Sequence, residues 1–192
     1  EGLQVVDVAD PADPQIVGAS DAPAHADRVE VRGDLAYVGY YHGLAVVDLS
    51  DPHHPQQVGQ VETAANCRDL AVEGQYACIA GEDDTGGSLT VVDVGDPSAP
   101  VVTATLHADQ VAYGVAVAGD CACVSFMQSL VYRLAVVSIA DPYAPQLAGS
   151  VVLNRAFGVA IAGDVAYVGG VALHVVDIAD PAQPELVRTV RP

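Results

Sequence analysis

The sequence contains no lysine, so its positive charge comes from seven arginines alone. Twenty-five acidic residues oppose them, which leaves a formal net charge of −18 at pH 7. A surface with this excess of negative charge repels phosphate backbones and anionic lipids. We therefore expect no nucleic-acid partner and no association with a membrane surface.

Tryptophan is also absent, and aromatic residues make up only 5% of the chain. Hydrophobic residues nevertheless reach 51%, which is typical of a packed globular domain, so the core has to consist mainly of Val, Ala, Leu and Ile. No apolar run reaches the roughly 18 residues that suggest a membrane-spanning helix. The composition predicts a folded domain without direct membrane insertion.

The motifs of common catalytic sites are missing as well. The sequence has no G-x-S-x-G, no H-E-x-x-H and no glycine loop of the phosphate-binding type. Acidic residues do recur, but they recur in every repeat described below, whereas a catalytic pair requires an asymmetric site. The pattern favours a protein without catalytic activity.

What the sequence does contain is a repeat. The seven residues from Val46 to Pro52 (VVDLSDP) return in four further copies, and the Asp before each Pro marks steps of 41, 45, 45 and 39 residues. A period of this length indicates a repeat architecture. The marker residues are Asp10, Asp51, Asp96, Asp141 and Asp180.

Two kinds of turn divide each repeat. A second proline follows three residues after each Asp-Pro, as Pro55 follows Pro52. Proline cannot continue a sheet ladder because it lacks the N–H. The Asp side chain can accept a hydrogen bond from a backbone N–H just ahead of it, which favours a turn. Upstream, a Gly followed by Asp or Gln separates two apolar runs, which predicts a tight hairpin. These glycines are Gly33, Gly74, Gly119 and Gly163.

Each complete unit thus contains four short strands, predicted in one unit at residues 28–32, 35–40, 44–49 and 56–62. No window has the apolar spacing of a helix. The run at residues 44–49 is apolar on both faces, as expected for a sheet packed between two others. Four-stranded sheets bury both faces when they pack around an axis, so we predict an all-β β-propeller of four-stranded antiparallel blades.

The phrases GLQVVDVADP at residues 2–11 and GLAVVDLSDP at residues 43–52 resemble the core of the LVIVD repeat. This motif occurs in many bacterial and archaeal surface proteins and is regarded as a β-propeller blade. The resemblance covers essentially the whole chain and implies an extracellular or cell-surface protein of a prokaryote. Ser138 replaces the usual Asp in the third unit, so the hydrogen bond of that Asp is in doubt there.

The single repeat domain, residues 1–192, divides into four complete units at about residues 24–63, 65–106, 110–152 and 154–191. Residues 1–20 supply only the second half of another unit. An uncovered half-unit has a sheet edge that can pair with another chain. Three explanations stay open: the sequence is an excerpt of a longer propeller, the units close imperfectly, or a neighbouring molecule covers the half-unit.

The four cysteines are not placed for disulfides. Cys121 and Cys123 lie two residues apart on one strand, about 7 Å between Cα atoms, which is at or beyond the limit for a disulfide. Cys67 is expected opposite a residue near Glu82, not opposite Cys78. We expect buried free thiols.

Candidate binding residues come from positions at which the units differ. At the start of each first strand, the aligned residues change in charge and shape from unit to unit. If these strands line the axis, the variable side chains form a ring at one mouth of the channel, where propellers commonly bind. The candidates are His25, Asp27, Asn66, Arg68, Tyr113 and Arg155.

Two stretches between strands are predicted to be loops, at residues 81–87 and 126–132. The first contains Glu82, Asp83 and Asp84, whose oxygens suit Ca²⁺, with a solvated turn as the alternative. The second is apolar and either forms a contact surface or packs over a blade edge. We expect no other cofactor.

Taken together, these patterns predict a non-catalytic extracytoplasmic module that binds a protein partner or associates with itself. Two alternatives stay open. One is a structural subunit that assembles through the half-unit into oligomers or filaments, and the other is an enzyme with its site at the channel mouth.

Overall fold

The computed structural model of the chain describes residues 2–21, 23 and 25–191. These residues form eighteen β-strands and no helix, as the sequence predicts. The described part of the chain therefore contains no helix that could cross a membrane. Glu1 and Ala24, the expected first residues of the half-unit and of the first complete unit, lie outside the described residues.

The strands follow one another in chain order within each sheet. The half-unit consists of β1 (Leu3–Asp7) and β2 (Gln15–Ser20). The first and second complete units contain β3 (Ala26–Arg32), β4 (Leu35–Tyr40), β5 (Gly43–Asp48), β6 (Gln56–Glu62), β7 (Asn66–Glu73), β8 (Tyr76–Asp83), β9 (Gly86–Asp93) and β10 (Val101–Ala108). The third and fourth contain β11 (Val111–Ala118), β12 (Cys121–Gln128), β13 (Val131–Ser138), β14 (Gln146–Leu153), β15 (Ala156–Ala162), β16 (Val165–Gly170), β17 (Leu173–Asp177) and β18 (Glu185–Val190).

Each complete unit is one four-stranded antiparallel sheet, and the half-unit is a two-stranded sheet. Neighbouring sheets meet mainly through their first strands, β3, β7, β11 and β15, which lie side by side as the innermost layer. The predicted architecture of four complete units and an N-terminal half-unit is confirmed.

A glycine begins the turn between the first two strands of every complete unit. Gly33, Gly74, Gly119 and Gly163 have φ of 59°, 56°, 55° and 58°. Glycine adopts this left-handed conformation without steric cost, and in a two-residue hairpin it matches the twist of the strands. The predicted hairpins are confirmed.

The repeated aspartates accept hydrogen bonds from backbone N–H groups of their turns, as the turn prediction requires. Oδ1 of Asp51 accepts the N–H of His53 at 3.0 Å, and the equivalent bond recurs in the other four copies at the same distance. At the end of the third strand, Oδ1 of Asp48 accepts the N–H of Ser50 at 2.8 Å. Asp7, Asp93 and Asp177 make the same bond in their units. The carboxylates of the repeat are therefore structural.

Aliphatic side chains fill the space between neighbouring sheets. Leu44 and Val46 of β5 pack against Leu70 and Val72 of β7, and all four are buried. Val47 belongs to the cluster on the opposite face of β5 and is equally inaccessible. Burial on both faces explains why the third strands are apolar without alternation.

The two ends of the array carry the same apolar side chains without cover. Leu173 of β17 is 41% exposed, and Val6 of β1 is 43% exposed. Their equivalents in the interior units are completely or almost completely buried, namely Leu44, Leu89 and Leu134 for the first and Val47, Val92 and Val137 for the second. The uncovered side of the fourth unit, with Tyr167, Leu173 and Val175, is called the trailing face below.

Both stretches predicted to be loops are largely strand. β8 continues to Asp83 and β9 begins at Gly86, while β12 and β13 leave only Ser129 and Leu130 between them. The additional residues extend both hairpins because each pairs with a residue across the ladder. The prediction of loops at residues 81–87 and 126–132 is wrong, because the strands stay paired up to the two residues of each turn.

The cysteines are free thiols, as predicted, but only three of them are buried, because Cys121 is half-exposed at the start of β12. Cys67 pairs with Gly81, one residue from the expected Glu82. His174 is buried, with Nδ1 3.1 Å from Oγ1 of Thr189 and Nε2 2.8 Å from the carbonyl oxygen of Asn154. Both ring nitrogens are satisfied, which makes it a core histidine.

Candidate functional site at the mouth of the array

Each first strand contains one β-bulge, at the same position in every complete unit. In β3, Ala26 pairs with Tyr40 and Arg28 pairs with Gly39, so Asp27 has no partner. The bulges of β7, β11 and β15 leave out the equivalent residues. Bulges of this kind re-aim a side chain. The four bulged residues are called the bulge row and are Asp27, Arg68, Tyr113 and Phe157.

Members of the bulge row from three units contact one another. The Cζ of Arg68 lies 5.2 Å from the centroid of the Tyr113 ring. The rings of Tyr113 and Phe157 meet edge to face with centroids 5.4 Å apart, and Phe157 meets Tyr132 in the same way at 5.5 Å. Cation–π and edge-to-face contacts each contribute about 0.5–1.5 kcal/mol. The row therefore forms one continuous surface across the second, third and fourth units.

A cleft of about 310 Å³ opens beside the row where the first strands begin. It is lined by Asp27, Arg28, Tyr41, Asn66, Cys67, Arg68, Glu82 and Tyr113. Side chains of three adjacent units meet there. The cleft offers aromatic surface, amide groups and charges of both signs.

The two basic residues of the cleft each have an acidic neighbour. Arg68 forms a short ion pair with Glu82 across the hairpin of the second unit. The Nε of Arg28 lies 3.6 Å from Oδ1 of Asp69. Among the described residues, no cationic side chain lies within ion-pair distance of the Asp27 carboxylate. Counted together with Asp69, three carboxylates oppose two guanidiniums at the cleft, and Asp27 is the one without an ion pair among the described residues.

Asp69 also connects neighbouring first strands. Its Oδ2 accepts the N–H of Val115 in β11 at 2.9 Å. Glu30 does the same one unit earlier, because its Oε2 accepts the N–H of Val72 in β7 at 2.8 Å. These carboxylates satisfy backbone donors on the inner edge of the next sheet. They fix the spacing of the strands that carry the bulge row.

Four of the six predicted binding residues line the cleft: Asp27, Asn66, Arg68 and Tyr113. Among the described lining residues, His25 and Arg155 are absent. Both are exposed and have positive φ, 62° and 49°, which is uncommon outside glycine. A role for either in binding stays a prediction.

A second cleft, of about 470 Å³, shares Tyr41, Asn66 and Glu82 with the first. It includes the acidic turn predicted to bind Ca²⁺. A side-chain and a backbone hydrogen bond from Thr85 hold the pKa of Asp83 below its ordinary value. Among the described residues, no three His, Cys, Asp or Glu side chains are placed to hold a metal ion. The calcium site stays a prediction.

Cys67 is the thiol nearest the bulge row. Burial raises its pKa to about 12, and the nearby Asp69 carboxylate acts in the same direction. A thiol with this pKa stays protonated at neutral pH and is a poor nucleophile. Cys67 therefore supplies packing to the cleft.

Sequence reasoning missed two members of this site. Glu82 was predicted only as a calcium ligand, whereas it pairs with Arg68. Phe157 extends the bulge row although it was not a candidate. The available signal was the alignment, since Phe157 occupies the position that Tyr113 occupies in the preceding unit.

The sequence profile of the family described as LVIVD repeat matches the chain in five stretches. They are residues 1–21, 23–63, 64–106, 111–152 and 155–191. No curated protein matches the chain.

Solved structures resemble the whole array. A functionally unknown protein from Desulfotomaculum acetoxidans has a TM-score of 0.77 at 14% identity, with 92% of this chain and 59% of that chain covered. A protein from Lactobacillus plantarum has a TM-score of 0.76 at 13% identity, with 98% and 62% covered. The β-propeller domain of Myceliophteria thermophila Cps50 (Swd1) has a TM-score of 0.63 at 14% identity, with 87% and 56% covered.

These likenesses support the fold alone because the identities are low. The chain spans less than two thirds of the length of each of the three structures. The predicted β-propeller fold is confirmed.

Proposed function

Because the chain belongs to the LVIVD repeat family, we propose that it is a non-catalytic interaction module that binds a protein partner at the mouth cleft. The family resemblance supports a place at the surface of a prokaryotic cell or outside it. The observation that carries the proposal is the bulge row. Four equivalent bulges present four different side chains, while the strands behind them repeat.

Variation at a solvent-accessible position of a repeated scaffold is typical of a recognition surface. Structural positions of the same units stay alike, as the buried Leu44, Leu89 and Leu134 illustrate. The bulge row instead combines a carboxylate, a guanidinium, a phenol and a phenyl ring. Aromatic and arginine side chains are also the residues that most often dominate binding energy at protein interfaces.

The negative charge of the chain favours a partner that is rich in basic residues. The chain has a net charge of −18, and among the described residues the Asp27 carboxylate forms no ion pair, while the guanidinium of Arg28 donates to the backbone carbonyl oxygen of Asp27 at 2.8 Å. A protein segment rich in Arg or Lys is attracted to such a surface from a distance. At contact, its cations face Asp27 and the exposed ring of Tyr41.

Catalysis has less support at this site. The only thiol of the cleft is held protonated by its high pKa. The carboxylates Glu82 and Asp69 are occupied by Arg68 and Arg28. Carboxylates that are paired in this way fix the positions of the side chains around them.

The test uses a fluorescent penta-arginine peptide and a penta-glutamate peptide of equal length. We expect the basic peptide to bind the full chain and the acidic peptide not to bind, measured by fluorescence anisotropy. Asp27→Asn should weaken binding of the basic peptide about threefold to tenfold, because one desolvated contact is worth roughly 1 kcal/mol.

Asp164→Asn is the matched control. It removes the same charge from an exposed turn at the far end of a first strand. Equal loss of affinity in the two variants would mean that only the overall charge attracts the peptide, which contradicts a site at the mouth.

Self-association is a second candidate function, and the trailing face favours it. This face carries the residues that other units bury against their neighbour. The opposite end exposes Val6 and Val8 of the half-unit, whose interior equivalents pack against the preceding unit. A second copy could therefore dock head to tail, as one unit docks on the next.

Arg188 opposes such docking. Three of its four equivalents, Gly18, Gly59 and Gly149, lie against a proline carbonyl of the next unit, and an added Cβ would come within 2.1, 2.2 and 2.5 Å of that oxygen. The fourth equivalent is Ala104, whose side chain is a single methyl group, far smaller than that of Arg188. Light scattering over a range of concentrations tests the candidate. We expect Arg188→Gly to strengthen association and Leu173→Asp to abolish it. A monomer in all three proteins at high concentration contradicts self-assembly through this face.

A further inference from the structure

A groove of about 340 Å³ lies at the junction of the second and third units. β10 of the second unit forms one side of it, and β12, β13 and β14 of the third unit contribute to the other. It has no lining residue in common with the mouth cleft. Its volume is within the range of small-molecule sites. This space is called the junction groove below.

Most of the wall of the junction groove is apolar. The second unit contributes Leu106, and the third contributes Phe126, Val137 and Leu147. Leu106 packs against the buried cluster that contains Phe126 and Val137. Leu147 is 59% exposed, so part of this apolar surface is left to solvent. Covering it with an aliphatic chain is favourable.

One cation lies in these apolar surroundings. Arg133 of β13 is half-buried and pairs with Phe126 across the ladder, so the two side chains share one face of the sheet. Among the described residues, the guanidinium of Arg133 has no ion pair and no hydrogen-bond acceptor. Arg28, Arg32 and Arg68 each have an acidic partner. The N–H donors of Arg133 are therefore available to a ligand.

The described lining of the junction groove contains no carboxylate, although the chain has 25 acidic residues. Gln110, Ser150 and His107 supply the other polar side chains. The Nδ1 of His107 lies 3.6 Å from Oδ2 of Asp83, which is not part of the lining. An anionic ligand would thus meet the guanidinium of Arg133 without competition from an acid in the groove.

The two neighbouring junctions between complete units have other side chains at the position of Arg133. The residue before the equivalent leucine is Ser88 in the second unit and Ala172 in the fourth. The groove at the next junction, of about 710 Å³, contains His174, both of whose ring nitrogens have partners. The described arginine of that groove, Arg191, is exposed beyond the end of β18. A half-buried arginine between two sheets therefore distinguishes the junction groove.

We propose that the junction groove binds a small monocarboxylate with an aliphatic tail, its carboxylate on Arg133 and its tail along Leu106, Phe126 and Leu147. The planar guanidinium fits a carboxylate through two parallel N–H···O bonds. One guanidinium balances one negative charge, whereas a doubly charged phosphate would add repulsion in a chain of net charge −18. An aliphatic tail also needs no hydrogen-bond partners, unlike a peptide backbone, and the apolar wall offers few.

The test measures the binding of octanoate to the full chain by isothermal titration calorimetry. We expect a dissociation constant below about 1 mM. Octanamide has the same tail without the charge, and butyrate has the charge with a shorter tail. Each should bind at least about tenfold more weakly than octanoate. Octanoate should also shift the methyl resonances of Leu106 and Leu147.

Two variants test the two parts of the groove. Arg133→Gln should weaken octanoate binding at least about tenfold and leave octanamide binding within about twofold, while Arg133→Lys should recover part of the loss. Leu147→Gln, at an exposed position, should weaken the binding of both ligands. Arg191→Gln and Leu186→Gln are the matched controls, because they make the same changes in the next groove, and they should leave octanoate binding unchanged. An unchanged midpoint of urea unfolding verifies that each variant is folded.

Three results overturn the proposal. The first is equal binding of octanoate and octanamide, or no binding of octanoate at about 10 mM. The second is loss of binding in Arg191→Gln with retention in Arg133→Gln, which would place the ligand in the next groove. The third is displacement of octanoate by lower concentrations of an acetylated dileucine peptide with a free carboxylate, since the groove would then hold a peptide C-terminus. Penta-arginine binding at the mouth is measured separately, so failure of the junction groove leaves the proposed function untouched.

Discussion

The guanidinium of Arg68 lies over the ring of Tyr113, with its Cζ 5.2 Å from the ring centroid. The two residues come from different units and occupy the same bulge position. Glu82 holds Arg68 from the other side. A variable residue of one unit is thus positioned by a variable residue of the next, and the row behaves as one surface.

Phe157→Ala should lower the free energy of unfolding by about 1–2 kcal/mol, because it removes edge-to-face contacts with Tyr113 and Tyr132. Urea denaturation measures the loss. A double-mutant cycle with Tyr113→Ala should give a coupling of about 0.5–1.5 kcal/mol. Tyr143→Ala, at a ring 67% exposed on a turn, should change stability by less than about 0.5 kcal/mol. Zero coupling would mean that the rings do not interact.

Glu30→Ala should cost about 1–3 kcal/mol of stability, since it removes the acceptor of the Val72 N–H between two sheets. Glu30→Gln keeps an acceptor and should recover part of the loss. Hydrogen exchange at the Val72 amide reports the bond directly. Exposed Glu73 is the matched control for Ala substitution. A variant with unchanged stability and unchanged exchange would exclude the bridging role.

Asp48→Ala should destabilise the protein at neutral pH and lose its effect in acid. The backbone N–H of Ser50, and then its side chain, hold the pKa of Asp48 below the usual 3.8. A depressed folded-state pKa gives stability that is present above the unfolded-state pKa and lost as the pH falls through the folded-state value. The stability difference between parent and variant should therefore shrink below pH 3.8.

Urea unfolding at a series of pH values measures this difference. Ser138→Ala changes the equivalent position of the third unit without a carboxylate, so its effect should not vary over the same range. A constant stability difference between the parent and Asp48→Ala throughout the acid range would mean that the ionised carboxylate of Asp48 does not stabilise the fold.

Replacing Ser129-Leu130 by Asn-Gly should stabilise the protein by about 1–2 kcal/mol. Both residues have positive φ, 50° and 69°, which L side chains adopt at a steric cost, whereas Asn-Gly suits this turn. Thermal and urea unfolding measure the gain. Gly119→Ala tests the reverse change: its φ is 55° and its surroundings are open, so strain alone should cost about 1 kcal/mol. Loss of stability in the Asn-Gly variant would show that the turn has another constraint.

Cys121 should be the first thiol alkylated by iodoacetamide in the folded protein. It is half-buried, and a hydrogen bond from Cys123 lowers its pKa and raises that of Cys123. Burial raises the pKa of Cys67 and Cys78 to about 12, which keeps them protonated and unreactive. Mass spectrometry of timed samples gives the order, with urea-unfolded protein as the reference. Equal alkylation rates at Cys78 and Cys121 in the folded protein would contradict the predicted order.

Sequence reasoning located part of the candidate site because repeat alignment compares equivalent positions. It selected Asp27, Arg68 and Tyr113, which the bulges bring to one cleft. It also selected His25 and Arg155, whose left-handed backbone distinguishes them from the aligned Asn66. Alignment equates positions along the chain, but the direction of a side chain depends on local φ.

The sequence by itself determined the blade. Its turns, its strand order and its Asp caps follow from interactions over two to three residues, and these repeat wherever the residues repeat. Only the tertiary structure decided which residues act together. The Arg68–Glu82 pair depends on register across a hairpin, and the exposure of Val29 and Leu173 depends on whether another sheet lies against them. Such contacts join residues that are far apart in the chain. A periodic sequence pattern does not tell which of these residues meet across a hairpin or between two sheets.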